Sequence, residues 1–216
     1  MADEIQHNEG LALNNTVILL AAPNGTGKGS VINELLQEPK IDLVKCPRVT
    51  SRVKGDLEID GEDYFFVSDE EFERQVQTGD FLEHKRNTPG YYGTSLSMLI
   101  ERCRMHQSVI LDLDVEAAVA IEPVLRALGI NCVSILLIPE SVQDFISDQR
   151  FQNALRILER RQRARNRGES DEEIRLRLVN AVSMFSKYQL FDYIVENEDG
   201  KLTEAVEAIK QIIQPT

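Results

Sequence analysis

Cysteine is scarce in this sequence, and the few copies are poorly placed for cross-links or metal binding. The three cysteines are Cys46, Cys103 and Cys132; their number is odd, and no two have C-x-x-C spacing. This argues against a disulfide framework and a zinc site, and it favours reduced thiols in a cytoplasmic protein. His84 and His106 likewise have no carboxylate or second histidine at the spacing of a metal site or catalytic triad.

Long apolar runs are also missing. No run reaches the ~20 residues that a membrane-spanning helix needs. The first residues, Met1-Ala2-Asp3-Glu4, lack the basic flank and apolar stretch of a secretion signal, so we expect neither export nor a membrane anchor. Repeats and flexible linkers are absent too. A chain of 216 residues, 42% of them hydrophobic, therefore predicts one α/β domain with inserted lobes.

Positive charge is in deficit. The chain has 24 Lys and Arg against 36 Asp and Glu, a net charge of −12 at pH 7, which argues against a nucleic-acid-binding surface. One short segment is the exception, because it holds seven arginines: Arg150, Arg156, Arg160, Arg161, Arg163, Arg165 and Arg167. Such a cluster suits a small polyanion, while a solvated helix face balanced by nearby acidic residues is the alternative.

An apolar run leads into a glycine-rich turn with one lysine, the pattern of a loop that binds phosphate. Gly25 and Gly27 allow backbone N–H groups to converge, the following helix points its positive end at the same place, and Lys28 adds a charge. The strict pattern G-x-x-x-x-G-K-[ST] fails at Ala22 and Gly29, so an ordinary strand-to-helix turn is the alternative. The candidate residues are Asn24, Gly25, Thr26, Gly27, Lys28, Gly29 and Ser30.

Strand-like apolar runs alternate with helix-like patterns, which predicts a parallel sheet. The predicted strands are Val17–Ala22, Ser108–Leu113, Cys132–Ile138 and Tyr193–Val195. The predicted helices are Ser30–Gln37, Glu116–Leu128, Val142–Arg161, Glu172–Tyr188 and Leu202–Ile213. Ligands of such sheets lie at the carboxyl ends of the strands, so we expect Asp112 and Asp114 near the glycine-rich turn. Residues 45–97 predict an inserted lobe of short antiparallel strands, with a helix at Asp69–Gln77 capped by Ser68.

Several short blocks occur in a fixed order: Ala22 to Ser30, Thr50-Ser51-Arg52, Gly61 to Val67, Phe81 to His84, Tyr91 to Ser95, Leu111 to Asp114, Arg163 to Gly168 and Asp192 to Asn197. In order and spacing these blocks resemble the guanylate kinase family, from Val17 to about Ile213. The resemblance implies an α/β P-loop kinase fold, with a parallel β-sheet core flanked by helices, an inserted GMP-binding lobe and an Arg-rich lid. It divides the chain into a core (1–44, 98–160 and 174–216), a lobe (45–97) and a lid (161–173).

The resemblance implies an enzyme that transfers the γ-phosphoryl group of ATP to GMP, giving ADP and GDP. It implies ATP binding by Asn24, Gly25, Thr26, Gly27, Lys28, Gly29, Ser30 and Asn197. It also implies Mg²⁺, held by Ser30 directly and by Asp112 through water. The catalytic residues it implies, which would gather positive charge around the transferred phosphoryl group, are Lys28, Arg52, Arg163, Arg167 and Arg177.

The implied GMP-binding residues are Arg52, Lys54, Tyr64, Glu83, Tyr92, Thr94 and Asp114. Guanine presents N1–H and N2–H₂ as neighbouring donors, which a carboxylate at Glu83, braced by Thr94 and assisted by Asp114, can accept. Adenine has an unprotonated N1 instead, a mismatch of the kind that gives a discrimination of ~10⁴ or more. Arg52 and the two tyrosine hydroxyls suit the phosphate. A solvated glutamate and two core tyrosines are the alternatives.

The chain departs from the family at two places. Gly55, with Lys54 beside it, stands where a second arginine is expected, which points to weaker GMP binding or altered substrate choice. The helical pattern at Val142–Arg161 runs about fifteen residues longer than is usual before the lid, and we expect it to pack on the core.

Two other functions stay open. One is a P-loop sugar-phosphate kinase acting on ribose bisphosphate. Glu83 and Thr94 argue against it, because such a kinase does not need a glutamate that binds a base. The other is a catalytically inactive guanylate-kinase-like module that binds protein, which Gly55 favours and Lys28 disfavours. The partners implied are ATP and GMP, without nucleic acid or membrane, and both a monomer and a homo-oligomer are compatible with the sequence.

Overall fold

Eight α-helices, one 3₁₀-helix and two β-sheets form the part of the chain that the structure, a computed structural model, describes: residues 16–87, 90–106, 108–148, 151–165 and 168–213. The strands are β1 (Thr16–Ala21), β2 (Leu43–Lys45), β3 (Arg48–Thr50), β4 (Tyr64–Phe66), β5 (Phe81–Asn87), β6 (Gly90–Ser95), β7 (Ser108–Leu113), β8 (Cys132–Ile138) and β9 (Tyr193–Glu196). The α-helices are α1 (Lys28–Leu36), α2 (Asp69–Thr78), α3 (Leu96–Met105), α4 (Val115–Ala127), α5 (Val142–Ser147), α6 (Gln152–Ala164), α7 (Asp171–Phe185) and α8 (Leu202–Ile213). The 3₁₀-helix covers Tyr188–Leu190.

Five parallel strands in the order β2-β7-β1-β8-β9 form the first sheet. Its three central strands are largely buried apolar runs, as a parallel sheet covered on both faces requires. Alternation along β1 places Val17 and Leu19 in one core cluster with α4, α6 and α7, and Ile18 and Leu20 in a second with α1 and α8. Burial contributes about 1.5–3 kcal/mol for each such aliphatic side chain, so this sheet is the rigid base of the molecule.

Four strands in the order β4-β3-β6-β5 form a second sheet within the stretch predicted as an inserted lobe. Strand β6 runs antiparallel to β3 and β5, whereas β3 and β4 are parallel. Helix α2 covers one face, where the ring of Phe72 stacks on Phe81 and Tyr91 with centroids 4.6 and 5.2 Å apart. Ser68 caps α2 by accepting a hydrogen bond from a backbone N–H of its first turn, which confirms that prediction. The other face carries side chains that line the main cavity described below.

The single helix predicted at Val142–Arg161 is wrong, because the chain forms two helices there, α5 and α6. Helix α5 ends at Ser147, and α6 is entered through Phe151, whose φ of 53° is left-handed. The buried ring of Phe151 lies 4.9 Å from that of Phe145 and 5.6 Å from that of Phe185, centroid to centroid. Burial of this ring offsets the backbone strain at Phe151. The left-handed residue changes the direction of the chain between the two helices, and a helical period in the sequence does not show such a turn. Both helices pack on the core, as expected.

The predicted strands Ser108–Leu113 and Cys132–Ile138 are confirmed with the predicted bounds. Strand β2 was not predicted, since three residues are too few to show a period. It pairs with β7, so Lys45, which the sequence assigned to the lobe, lies in the first sheet.

All three cysteines are buried, and none of them forms a disulfide. Burial raises the pKa of the Cys46 thiol to about 12 and that of Cys103 to about 11. In the described part of the chain, every helix is too short or too polar to cross a bilayer.

Candidate active site

The glycine-rich turn at residues 22–30, here called the P loop, joins β1 to α1 in a conformation that only glycine tolerates at two positions. Gly25 has a φ of 98°, and Gly27, the N-cap of α1, has a φ of 97°. A Cβ atom at Gly27 would lie 2.5 Å from Nδ2 of Asn197. That amide donates to the carbonyl of Thr26 at 2.7 Å, while the hydroxyl of Thr26 donates to Pro23 O at 2.8 Å. The loop is therefore stabilised by a hydrogen bond within it and by one from Asn197, which follows β9.

Lys28 lies at the start of α1, with its ammonium group between two acceptors of β7. Its Nζ is 2.7 Å from Oδ1 of Asp112, and it also donates to the carbonyl of Leu113. Burial alone raises the pKa of Asp112, but the charge and hydrogen bond of Lys28, with Lys45 and Arg48 nearby, outweigh it and hold that pKa below its usual value. Asp112 is thus a carboxylate at neutral pH, and the helix start and Lys28 together make this end of the cavity suited to anions.

The main cavity, of about 610 Å³, lies between the P loop and the second sheet. It brings together ten of the residues predicted for the site: Asn24, Gly25, Gly27, Lys28, Gly29, Ser30, Tyr64, Tyr92, Asp112 and Asp114. Burial, together with the negative charge of Asp112, raises the pKa of Tyr64, which keeps its hydroxyl protonated as a donor. The cavity has a volume suited to a small-molecule ligand.

The open face of the second sheet is built by strand alternation. The pairing of Glu83 with Thr94 and of Lys85 with Tyr92 puts these four side chains on one face. The hydroxyl of Thr94 donates to Oε1 of Glu83 at 2.9 Å. Arg48 also donates to Oε1 of Glu83, and neither Glu83 nor Thr94 is among the described residues that line the main cavity.

Lys85 forms an ion pair with Asp114 beside the Arg48–Glu83 pair. Burial alone raises the pKa of Asp114, but the hydrogen bond from Lys85 and one from the backbone of Ala117 outweigh this effect. The pKa of Asp114 is therefore below its usual value, and Asp114 also stays ionised. Its second oxygen caps α4 by accepting from Ala117 N at 2.9 Å. Both predicted base-reading carboxylates are therefore paired with a cation that sequence reasoning did not foresee.

Arg52 does not line the main cavity, although it packs against Tyr64, which does. Its guanidinium forms a two-pronged ion pair with Glu58, in which Nη1 lies 2.6 Å from Oε2, and it stacks over the ring of Tyr64 at 5.0 Å from the centroid. The hydrogen bond from Arg52 lowers the pKa of Glu58 to about 2. Glu58 also accepts from Gly55 N at 2.8 Å, and Lys54 donates to the carbonyl of Glu58 at 2.8 Å. The carboxylate of Glu58 is thus bound to Arg52, the residue predicted to bind a phosphate.

The predicted lid arginines are also engaged elsewhere. Arg163 pairs with Glu159 at 3.0 Å and with Asp171 at 2.5 Å. Arg177 pairs with Glu169. Among the residues described, these arginines do not line the main cavity, and Arg167 lies outside the described residues.

Helix α6 supplies contacts to the P loop that the sequence did not reveal. Arg161 donates to the carbonyl of Thr26 at 3.1 Å and to that of Asn197 at 2.8 Å. The buried Gln162 donates to the carbonyl of Asn24 at 3.1 Å. Helical spacing from the buried Leu158 puts both side chains on the inward face, a signal that the count of arginines obscured.

A smaller cavity of about 340 Å³ also borders the P loop. Its lining includes Gly27, Ser30, Arg161, Arg165 and Asn197. The predicted ATP residue Asn197 is therefore beside the P loop, as a buttress and as a wall of this second cavity. Arg165 also reaches the main cavity, so it stands between the two.

The donors available to a metal are few. Groups of three or more His, Cys, Asp or Glu side chains that could hold a metal ion do not occur among the described residues. Ser30 and Asp112 both line the main cavity and offer hard oxygen ligands. Such a sparse oxygen set fits Mg²⁺, which keeps most of its ligands as water and phosphate oxygens.

Comparison with known proteins gives consistent matches. A family model described as guanylate kinase matches residues 14–216. The chain is 31% identical over 198 residues to a guanylate kinase of Mycoplasmoides gallisepticum, with 91% of each protein covered. It is 34% identical over 197 residues to a guanylate kinase of Hahella chejuensis, covering 91% of this chain and 84% of that one. The crystal structure of guanylate kinase from Anaplasma phagocytophilum matches with a TM-score of 0.65 and 26% identity, over 92% of this chain and 84% of that chain.

Proposed function

The chain belongs to the guanylate kinase family and has a P-loop kinase fold, and from this we propose that it transfers the γ-phosphoryl group of ATP to GMP, giving ADP and GDP. One observation carries the proposal. The P loop with Lys28 and the sheet face with Tyr64 and Tyr92 line the same cavity of about 610 Å³. Two anion-binding surfaces across one cavity suit transfer of a phosphoryl group between two nucleotides, because that reaction depends on alignment and charge.

We assign the ATP phosphates to the P loop. Backbone N–H groups of residues 24–30 and the start of α1 would hold the β-phosphate, and Lys28 would reach the γ-phosphate from its place beside Asp112. The adenosine would lie in the smaller cavity with Asn197, which the side chains of Arg161 and Arg165 border. The core, lobe and lid boundaries given above stay part of this proposal, except that Lys45 belongs to the first sheet and so to the core.

Mg²⁺ fits the same place. Ser30 would contact the ion directly and Asp112 through water, and the bound ion would neutralise charge on the β- and γ-phosphates. The ion pair with Lys28 holds one oxygen of Asp112, which fixes the orientation of the carboxylate.

We assign GMP to the face of the second sheet. Glu83, held by Thr94, would accept from N1–H and N2–H₂ of guanine, with Asp114 beside it. Tyr64 and Tyr92 would donate to the phosphate. Arg52 and Lys54 would join them when the phosphate displaces Glu58, a partly exposed partner whose ion pair is worth up to about 1 kcal/mol.

The reaction itself needs little covalent help. An oxygen of the GMP phosphate attacks the γ-phosphorus while the bond from that phosphorus to the β–γ bridging oxygen breaks, leaving ADP. Lys28 stabilises the charge that develops on this side. We propose that Arg163, Arg167 and Arg177 clamp the phosphates from the lid; Arg163 and Arg177 are held by partly exposed ion pairs, which cost little to exchange.

We place the enzyme in the cytoplasm, in keeping with three buried cysteines that form no disulfide, and propose ATP and GMP as its small-molecule partners, without nucleic acid or membrane. A monomer and a homo-oligomer are both compatible with this proposal. One observation favours an inactive protein-binding module instead: Arg52 is paired with Glu58, and Gly55 stands in place of a second arginine.

A coupled assay for ADP formation tests the proposal. The protein is mixed with ATP and Mg²⁺ and, separately, GMP, AMP, UMP or ribose bisphosphate. We expect turnover with GMP and at least ~10³-fold less with AMP. Lys28→Met should abolish turnover, while Lys40→Met, at an exposed lysine in the turn after α1, should leave it unchanged.

Each result has a clear reading. Turnover with ribose bisphosphate in place of GMP would identify a sugar-phosphate kinase. Failure to form ADP with any of the four acceptors would favour the inactive protein-binding module. Full activity of Lys28→Met would show that Lys28 is not needed for the reaction.

A further inference from the structure

Arg48 is a buried cation at the wall of the main cavity, at a place where the sequence drew attention only to carboxylates. It opens β3, and its side chain is 8% exposed. Among the described residues, no other Arg or Lys is as buried. Arg48 lines the main cavity, whereas Glu83 does not. A ligand that enters this cavity therefore meets the guanidinium of Arg48 before it reaches the carboxylate of Glu83.

Register explains how Arg48 reaches this position. Val49 pairs with Gly93 and Thr50 with Tyr92 across β3 and β6, so continuing this antiparallel register by one residue puts Arg48 beside Thr94. Thr94 in turn pairs with Glu83 on β5. Arg48, Thr94 and Glu83 form a row across three strands on the face that borders the cavity.

The hydrogen bonds of Arg48 are incomplete. Its Nη2 donates to Oε1 of Glu83, which also accepts from Thr94. Its Nε is buried, and no hydrogen-bond partner for it occurs in the described part of the protein. A buried donor without a partner is costly, so a buried, cavity-lining guanidinium in this state is typical of a site that a ligand or water completes.

We propose that Arg48 is a specificity-determining residue that recognises the O6 and N7 atoms of guanine. This inference rests on the proposed function and adds a residue to it. O6 and N7 are neighbouring acceptors, and the planar fork of arginine matches them; an arginine bound to these two atoms is a common specific contact to guanine.

The Arg48–Glu83 pair then reads guanine along two adjoining edges. Arg48 donates to O6 and N7, and Glu83 accepts from N1–H and N2–H₂. Adenine has an amino group in place of O6 and an unprotonated N1, so it meets a donor with a donor and an acceptor with an acceptor. Two mismatches side by side discriminate more strongly than the carboxylate alone.

The wild-type protein gives the first test, since 7-deaza-GMP lacks N7 but keeps O6, N1–H and N2–H₂. We expect kcat/KM for 7-deaza-GMP to be about 10- to 100-fold below that for GMP, mainly through KM, as for loss of one bidentate contact. Equal kcat/KM for the two nucleotides, with normal turnover of GMP, would overturn the inference and leave the proposed function intact. Failure to phosphorylate GMP at all would overturn both.

Arg48→Lys gives the second test, because lysine keeps the charge beside Glu83 but has no fork. We expect KM for GMP to rise about 10- to 100-fold, the penalty for 7-deaza-GMP to shrink to less than about 3-fold, and the AMP/GMP ratio of kcat/KM to increase. Arg74→Met is the matched control, since Arg74 is 67% exposed on α2 and pairs with Glu71. An unchanged penalty in a folded Arg48→Lys variant would show that Arg48 only holds Glu83 in place.

Discussion

Gly27 and Gly29 are two residues apart in the P loop and obey different constraints. Gly27 has a left-handed backbone and no space for a Cβ atom, since the amide of Asn197 lies against it. Gly29 is in the first turn of α1, and a Cβ atom there would meet nothing within 4 Å. The first glycine is required by the loop, whereas the second only weakens the helix.

We therefore expect opposite effects of alanine at these two positions. Gly27→Ala should lower the free energy of unfolding by about 2–3 kcal/mol, because it adds backbone strain and displaces the hydrogen bond from Asn197 to Thr26. Gly29→Ala should raise it by about 0.5–1 kcal/mol. Denaturant unfolding of the two variants measures both, and equal effects would contradict this account of the loop.

At the scale of secondary structure, α6 connects the hydrophobic core to the P loop, because one of its faces packs in the core and carries the side chains that contact the loop. The Phe151 turn sets the direction of this helix, and Arg161 and Gln162 on its inward face bind three carbonyl groups, two of the P loop and that of Asn197. These contacts use none of the loop N–H groups, because the helix donates only to carbonyls; within the loop, Thr26 N and Ser30 N donate to the carbonyls of Pro23 and Gly27. Helix α6 therefore fixes the position of the P loop through its carbonyl groups.

Arg161→Met should loosen the P loop without removing α6. We expect a loss of about 1–2 kcal/mol of stability, the size of a lost charged hydrogen bond or two, and faster hydrogen exchange at the amides of residues 24–30. Arg156→Met is the control, since Arg156 is an exposed residue of the same helix. Equal exchange rates in the two variants would mean that α6 does not stabilise the loop.

The elements that sequence predicted well are those with a strong local signal. The central strands are continuous apolar runs, and the glycine turn has its own spacing, so β7, β8 and the P loop were predicted correctly. The break before Phe151 and the contact of Arg48 with Glu83, 35 positions away, depend on packing between distant parts of the chain. Local patterns contain no information on such pairs, and for that reason the pairing of Glu83 with Arg48 was missed. Arg52 and Glu58 are only six positions apart, but they lie in an irregular loop, where no helix or strand period indicates which side chains meet.

For the molecule as a whole, the excess of acidic residues governs its response to acid. Several carboxylates have pKa values held below the usual range by cationic partners, among them Glu58, Asp112 and Asp114. A carboxyl group whose pKa is lower in the folded state stabilises the fold above its unfolded pKa of about 4. That contribution is lost as the pH falls through the folded value.

We expect Glu58→Gln to reduce the free energy of unfolding at pH 7 by up to about 1 kcal/mol, as for a partly exposed ion pair. The difference from wild type should shrink between pH 4.5 and pH 2, since the pKa of Glu58 is about 2. Chemical denaturation across this range measures it, with Glu62→Gln, an exposed residue of the same loop, as control. A difference that does not change with pH would exclude the ion pair as its source.

The burial of Cys46, Cys103 and Cys132 has a practical consequence. Alkylating reagents attack the thiolate, and the raised pKa values of Cys46 and Cys103 leave almost none of it at neutral pH while the fold is intact. Iodoacetamide will therefore label Cys46 and Cys103 only in molecules that have unfolded around them. The mass added at these two positions measures the fraction of molecules that have unfolded, without any engineered probe.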